Sequence, residues 1–403
     1  MLRRFLRYAD KVYQLDRLVC RVSDGRSQPL IPTSAVFSSV VLMMLARLGS
    51  LNALEQQSGS AFWRRWMGGP LPSADTIGRV FATIDTETIR SNIHHVYTRL
   101  KRNKAIREFG GVYALVIDGH ESSSSYLQSC GGCLRRKVRA GDGERIQFYH
   151  RQVSAMLVTK DFPILLDVEE QRKGEDEVAC ATRLCRRVFL NYPRAFQVVL
   201  VDALYLTSPF FKFLSYHDKD VVCVLKDERR DLMEDATSIF KREPPVLIGD
   251  GTVEKRAWDV EGLTSWKGLG KPVRVVRSRE TRKVTRQLTG KEEVETSEWM
   301  WVTTLPRATV STEDIIRLGH ARWLIENQAF NEMVTHWHAN HVYRHDPTAI
   351  TAFWLTLMLV VNLFRAFINL NIKPEVRARH TQLHFARLLS LELYDDGDNS
   401  KPP

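Results

Sequence analysis

Val112-Tyr-Ala-Leu-Val-Ile117-Asp118-Gly119 is an uncharged, apolar run that stops at an acid followed by glycine. It is too short for a self-burying helix, and a run of this length closed by a turn signal is the pattern of a strand covered on both faces. The pattern recurs. Val198-Val-Leu-Val201 ends at Asp202, and 221–225 is another such run. Residues 152–159 and 164–168 also read as strands, joined by Lys160-Asp161-Phe162-Pro163, which has the character of a hairpin turn. Between 175 and 190 the period changes: Ala181, Leu184, Cys185 and Val188 recur at helical spacing, behind Glu175, Asp176 and Glu177 in the first turn, where the helix dipole favours acids. A second helix is expected at 209–216. The predicted order is strand, strand, strand, helix, strand, helix, strand: an α/β fold with a mixed sheet carrying helices on both faces.

In a sheet of that order the first and fourth strands are neighbours, so Asp118 and Asp202 meet at one edge, where ligand sites of open α/β sheets gather. Two carboxylates that close repel each other unless a divalent cation lies between them, and hard oxygen ligands suit Mg²⁺ or Mn²⁺. Taken singly, each acid has a plainer reading, Asp118-Gly119 as a turn and Asp202 as a helix cap. A third acid comes from Arg322-Trp-Leu-Ile-Glu326-Asn, in a helical pattern that opens at Thr312-Glu313-Asp314. Arg322 and Glu326 share one helix face, and their plainer reading is a surface ion pair of little energetic weight.

Working outward, residues 1–105 read as a helical N-terminal domain. Ile31-Pro32-Thr33-Ser34 and Ser73-Ala-Asp75 are helix starts, and Lys101-Arg-Asn-Lys104 is a basic connector. The core is expected in two parts, 106–226 and 306–375, split by a β-rich basic insertion at 227–305; the remainder, 376–403, reads as a tail, disordered at 395–403. From Lys267 to Lys291 nine Lys or Arg accompany one Glu. The whole chain has 403 residues, 44% of them hydrophobic and 26% charged, which excludes a mostly disordered protein and fits several domains. A net charge of +11 points to a polyanionic partner. Six cysteines are too sparse for a secreted disulfide scaffold, so a reducing compartment is expected. The N-terminus lacks the uninterrupted apolar stretch of a secretory signal, and 348–364 reads as a core helix rather than a membrane anchor.

The residues Val-Ile-Asp118-Gly, Val-Leu-Val-Asp202-Ala and Arg322-Trp-Leu-Ile-Glu326-Asn, followed by Trp337 and Arg344-His-Asp-Pro347, resemble a bacterial insertion-sequence transposase of the DDE class. Pro72-Ser-Ala-Asp-Thr-Ile-Gly-Arg79 resembles the N-terminal region of such proteins, so the likeness runs from about 72 to 367. The branch is the one whose third acid lies in a Tyr-x2-Arg-x3-Glu-x6-Lys signature; here Gly319 replaces the Tyr and Met333 the Lys. The resemblance implies a ribonuclease H-like core in which Asp118, Asp202 and Glu326 hold two Mg²⁺ (or Mn²⁺) ions. It also implies cut-and-paste transposition, in which the element's ends are cleaved and the freed 3′-hydroxyls joined to target DNA by phosphoryl transfer. The expected partner is double-stranded DNA, at the inverted-repeat ends and the target, bound by a homodimer in the bacterial cytoplasm at the nucleoid. The rival readings are a stand-alone nuclease on the same core and an inactive, transposase-derived DNA-binding protein.

The missing Tyr and Lys would contact the DNA backbone, and His320, His336 or His338 could take over a phosphate contact. Further candidate DNA contacts are Arg322, Lys267, Arg274, Arg277, Arg279 and Arg344. Related transposases use an insertion aromatic to hold a base drawn out of the helix; Trp266, beside Gly268 and Gly270 in an expected loop, is the candidate here, ahead of Trp258. Trp299 and Trp301 are two apart on one strand and are expected to form the insertion's own core. Cys130-Gly-Gly-Cys133 has the spacing of half a zinc site, which His120 and His150 could complete; the alternative is a turn with two buried thiols. The four histidines at 336, 338, 341 and 345 read as either a metal cluster or a solvated face.

Overall fold

The computed structural model describes the whole chain except residues 61–62, 65–66, 68, 141–142, 227–229, 250–252, 287–289 and 395–403; the tail segment expected to be disordered lies outside the described residues. Its centre is a ten-stranded mixed sheet built from β1 (Ala114–Ser125), β2 (Leu134–Ala140), β3 (Gly143–Val158), β4 (Ile164–Glu170), β5 (Val198–Val201), β6 (Asp220–Val224), β7 (Val246–Gly249), β8 (Val253–Leu263), β9 (Val273–Thr285) and β10 (Glu292–Thr303). The spatial order is β2-β3-β1-β5-β6-β10-β9-β8-β7, with β4 on the β2 side of β3. The helices Glu177–Asn191 and Ser208–Tyr216 make the crossovers into β5 and β6. This is a ribonuclease H-like arrangement, and β1 pairs with β5 in parallel as the strand order requires.

Three features differ from the reading of the sequence. β1 does not stop at Asp118. It runs on to Ser125 because β3 continues beside it, pairing Asp118 with Ser154 and Ser125 with Phe148. What ends near Asp118 is the other neighbour, since β5 pairs only as far as Val116↔Leu200. Asp118 therefore sits in mid-strand at the point where one flank of the strand opens. Second, the expected strand at 152–159 is the inner half of a longer β3, whose outer half forms a hairpin with β2 that the polar, basic stretch Arg135-Arg-Lys-Val-Arg139 did not suggest. Third, the strands of 227–305 continue the same sheet: Trp301, Val302 and Thr303 of β10 pair with Val224, Cys223 and Val222 of β6.

The roots of β9 and β10 are buried and their tips exposed, which is why only 273–276 and 299–303 looked strand-like. The basic excess of β9 is also largely compensated across the hairpin. Arg277 pairs with Glu298 at 2.7 Å, Arg282 with Glu295 at 2.9 Å and Arg286 with Glu293 at 2.7 Å.

The helix Pro347–Asn371 runs through the protein's interior, and almost all of its apolar surface is covered. The N-terminal helices pack on it. Phe81 stacks on Phe353 at 4.1 Å and Phe5 meets Phe367 edge-on at 5.4 Å. Arg90, on the helix Thr86–Arg102, reaches buried Asp167 of β4 at 2.9 Å. Two polar residues of the central helix are buried and satisfied. Asn362 forms two hydrogen bonds with the Leu165 backbone, covering the edge of β4, where a bare N–H and C=O would otherwise be costly. Arg365 donates to Pro163 O, Gln328 O and Glu332 Oε2, fixing the helix that follows Glu326.

Candidate active site

Asp118 is buried, with Oδ1 accepting from the Gly119 amide at 2.9 Å and Oδ2 facing Arg322 Nη1 at 3.2 Å. Arg322 Nη1 also donates to Glu326 Oε1 at 2.8 Å. Arg322 is itself buried, with its guanidinium 4.8 Å from the centre of the Trp323 ring, so the reading of an exposed surface pair fails. Asp202 does cap a helical turn, Ala203–Tyr205, through a 2.9 Å bond from the Leu204 amide to Oδ1. That bond uses only one of its two carboxylate oxygens.

Glu326 opens a π-helical turn, Glu326–Asn331, between the short helices Trp323–Ile325 and Glu332–Trp337. Such turns shift side-chain direction within a helix and recur at functional sites.

The electrostatics follow from this crowding. Burial pushes the Asp118 carboxyl up to about 7; Arg322 opposes the shift, and the charges of Asp202 and Glu326 add to it. Asp118 is therefore held at the edge of ionisation chiefly by its burial, with the two neighbouring carboxylates adding to the shift that Arg322 only partly offsets. The Arg322 guanidinium, placed between Asp118 and Glu326, occupies the position of a stand-in cation. A hard divalent ion on this oxygen-only set fits both observations.

In metal-free buffer, Asp118→Asn is expected to raise Tm. A group whose folded pKa is raised costs stability above its unfolded pKa, so the gain grows as pH climbs from about 4 and levels off above about 7. Equal melting shifts at pH 4 and pH 8 would contradict it.

The reading of the sequence missed two neighbours of this site. Glu177 is buried against the β1 backbone in space that a Cβ on Gly119 would occupy, only 2.3 Å from Glu177 Oε2. Its Oε1 accepts from Tyr205 Oη at 2.9 Å, and it forms an ion pair with Arg151. Burial and the adjacent carboxylates hold the Tyr205 phenol far above its ordinary pKa, so it stays a neutral donor. Nothing in sequence separates Glu177 from Glu175 and Asp176, which instead bond Arg183 and cap the helix. The second neighbour is Trp323, 41% exposed beside Arg322. Away from this site, the β2–β3 hairpin, also unforeseen, carries exposed Arg135, Arg139 and Arg145.

Other candidates are placed elsewhere. Trp266 is not in an open loop; it is buried edge-on to Phe211 at 4.8 Å because the Gly268 turn folds back over it. Arg274 is buried too, bonded to Asp259 at 2.6 and 2.9 Å and to Val310 O at 2.8 Å, so its charge ties β9 to β8 and to the 305–310 segment instead of reaching DNA. Arg277 is half-buried over Trp258. Lys267, Arg279 and Arg344 are exposed. Trp299 and Trp301 stack at 6.3 Å, together with His320, whose Nε2 is 2.7 Å from Glu280. His338 Nε2 donates to Arg47 O at 3.1 Å and so is already engaged within the protein. Cys130, Cys133 and His150 come together, but His120 does not join them. It stacks on Phe330 at 4.7 Å.

The two departures from the Tyr-Arg-Glu-Lys signature have structural causes. A Cβ on Gly319 would lie 2.3 Å from the Trp301 indole, so no larger residue fits there. Met333 is fully buried, a position hostile to a lysine ammonium.

No curated protein matches the chain. A family model described as a transposase DDE domain matches residues 116–363, from within β1 to within the central helix, and so spans Asp118, Asp202 and Glu326. Since this match covers more than half of the chain, the protein belongs to the transposase DDE domain family.

Proposed function

We propose that the protein is a cut-and-paste transposase of a bacterial insertion sequence, which cleaves the element's ends and joins the 3′-hydroxyls to target DNA, with Asp118, Asp202 and Glu326 as its catalytic acids. The observation that carries this reading is the convergence of three acids from two strands and a distant helix, close enough for two of them to raise the pKa of the third. Divalent metal held by these acids, Mg²⁺ or Mn²⁺ in two positions, would supply Lewis-acid activation of the attacking water and charge stabilisation at the leaving 3′-oxygen. The chain's own groups do the rest. Arg322 aligns the carboxylates of Asp118 and Glu326, while Tyr205 and Arg151 keep Glu177 fixed against β1. Exposed Arg135, Arg139 and Arg145 on one side, and Lys267, Arg279 and Arg344 elsewhere, are available to phosphates.

Each element has two ends and each chain one such site, so a homodimer on DNA is the economical assembly. In this reading residues 1–105 serve DNA binding and assembly, and the protein works at the bacterial nucleoid. The test is to incubate purified protein and Mg²⁺ or Mn²⁺ with DNA carrying its own reading frame and flanks. Nicks at the element's ends, and joining of pre-cut ends to a plasmid, are expected. Cleavage without joining would make it a nuclease; binding without either would make it an inactive derivative.

Trp323 takes over the base-stacking role first assigned to Trp266, because it is exposed and adjoins the acids. A stacked base is worth about 1–3 kcal/mol by alanine substitution. Trp323→Ala is therefore expected to slow strand processing by about tenfold after a normal first nick, followed on 2-aminopurine-labelled ends; an unchanged rate would return Trp323 to a merely exposed aromatic.

A further inference from the structure

Cys130 and Cys133 lie between β1 and β2, His150 on β3, and His345 immediately before the central helix. Their ligand atoms all fall within 4.8 Å of one another. The two Sγ atoms are 3.6 Å apart, and each is 3.3 Å from His150 Nε2. A tetrahedral zinc ion with Zn–S of about 2.3 Å and Zn–N of about 2.0–2.1 Å requires S···S near 3.8 Å and S···N near 3.6 Å. Cys130, Cys133 and His150 are within a few tenths of an ångström of that already, and His345 stands close enough to close the fourth corner with a small side-chain movement.

We propose that Cys130, Cys133, His150 and His345 bind one structural zinc ion, separate from the carboxylate site. Two observations besides proximity point to a soft metal. His150 Nδ1 lies 3.1 Å from Glu170 Oε2, which assigns its proton to Nδ1 and leaves the Nε2 lone pair facing the sulfurs, the arrangement that carboxylates impose on zinc-bound histidines. His345 Nδ1 is buried without a hydrogen-bond partner among the described residues, a costly state that a fourth metal bond relieves. Thiolate and imidazole together select zinc over Mg²⁺, so the two metal sites do not compete for the same ion.

All six cysteines are free, so no disulfide joins the three segments. The Cys130 amide donates to Cys133 Sγ at 3.2 Å, and Gly132 packs so closely on Pro347 that a Cβ there would come within 2.7 Å of its ring. The ion would thus staple the root of the basic β2–β3 hairpin to the first turn of the central helix, fixing the hairpin and the neighbouring Arg344 relative to the acids. His120, the ligand suggested by sequence proximity, plays no part.

The experiment is metal analysis of the full chain purified under reducing conditions without added zinc. About one zinc per chain is expected in wild type and in His120→Ala, and near none in Cys130→Ser or His345→Ala. Cobalt exchanged into the wild-type protein should give the intense visible bands of a tetrahedral thiolate site, a readout that needs no variant to fold. Absence of zinc and of those bands in wild type overturns the proposal, as does a Cys130–Cys133 disulfide in protein prepared anaerobically. Zinc lost from His120→Ala but kept in His345→Ala overturns the ligand set. Cleavage assays in Mg²⁺ after zinc removal are independent of these readouts, so failure of the transposase reading and failure of the zinc site are distinguishable.

Discussion

Asp118→Ala, Asp202→Ala and Glu326→Ala are each expected to lower DNA cleavage by about 1,000-fold or more, the scale on which loss of one charge-stabilising group acts in a preorganised site. The protein should stay folded. Asp118 is a burden on stability at neutral pH, because burial and two neighbouring acids already push its carboxyl up to about 7. Asp202 contributes one cap, to the Leu204 amide, worth about 1 kcal/mol. Glu326 shares Arg322 with Asp118 and is a third exposed, so Arg322 retains a partner when it is removed. DNA binding should be equal or tighter, since each change removes a negative charge facing phosphate. Gel-shift titration beside a cleavage time course on the same DNA separates the two quantities. If all three variants still cut at wild-type rates, these acids are not the active site.

How much of this was legible in the residues depends on where each signal lies. The apolar runs at Val112 and Val198 gave the parallel pair β1–β5, and the order of elements placed Asp118 beside Asp202, because strand pairing in such a sheet follows from topology alone. The extension of β1 past Asp118 was hidden, since 119–125 is polar and pairs on one side only with β3. Charge misled in the insertion. Counting along β9 found an excess of base, whereas Arg277, Arg282 and Arg286 are compensated by acids of β10 that are distant in sequence and opposite in the sheet. Trp266 failed for a similar reason: flanking glycines suggested an open loop, while the loop folds over the ring against Phe211. Glu177 had no signal of its own. Its position depends on the missing Cβ of Gly119, fifty-eight residues earlier, and on a tyrosine from the segment after β5. For the cysteines the spacing was informative, but the fourth partner was spatial: His345 comes from beyond the third acid.

Arg322→Ala is expected to lower cleavage by about 100-fold or more and to move the ascending limb of the pH profile to higher pH, with Arg322→Lys between it and wild type. Arg322 Nη1 serves both Asp118 and Glu326, and its charge is the main influence opposing the upward shift of the Asp118 carboxyl. Without it, the Gly119 amide still favours the Asp118 anion, while burial, Asp202 and Glu326 disfavour it. Its pKa therefore climbs beyond about 7, and a larger share of the protein carries a protonated Asp118 at neutral pH, unable to act as a metal ligand or proton acceptor. Lysine restores a positive charge but offers a single point of attachment on a flexible stem, and it loses the contact of the guanidinium with the Trp323 ring. It should recover part of the pH shift and less of the rate. A residue that only braced the helix would lower activity by the same factor at every pH. The decisive measurement is the cleavage rate of all three proteins from pH 6 to pH 9 at fixed metal concentration: parallel curves would make Arg322 a structural strut, whereas an alkaline shift graded Ala, Lys, Arg would make it the group that keeps Asp118 ionised.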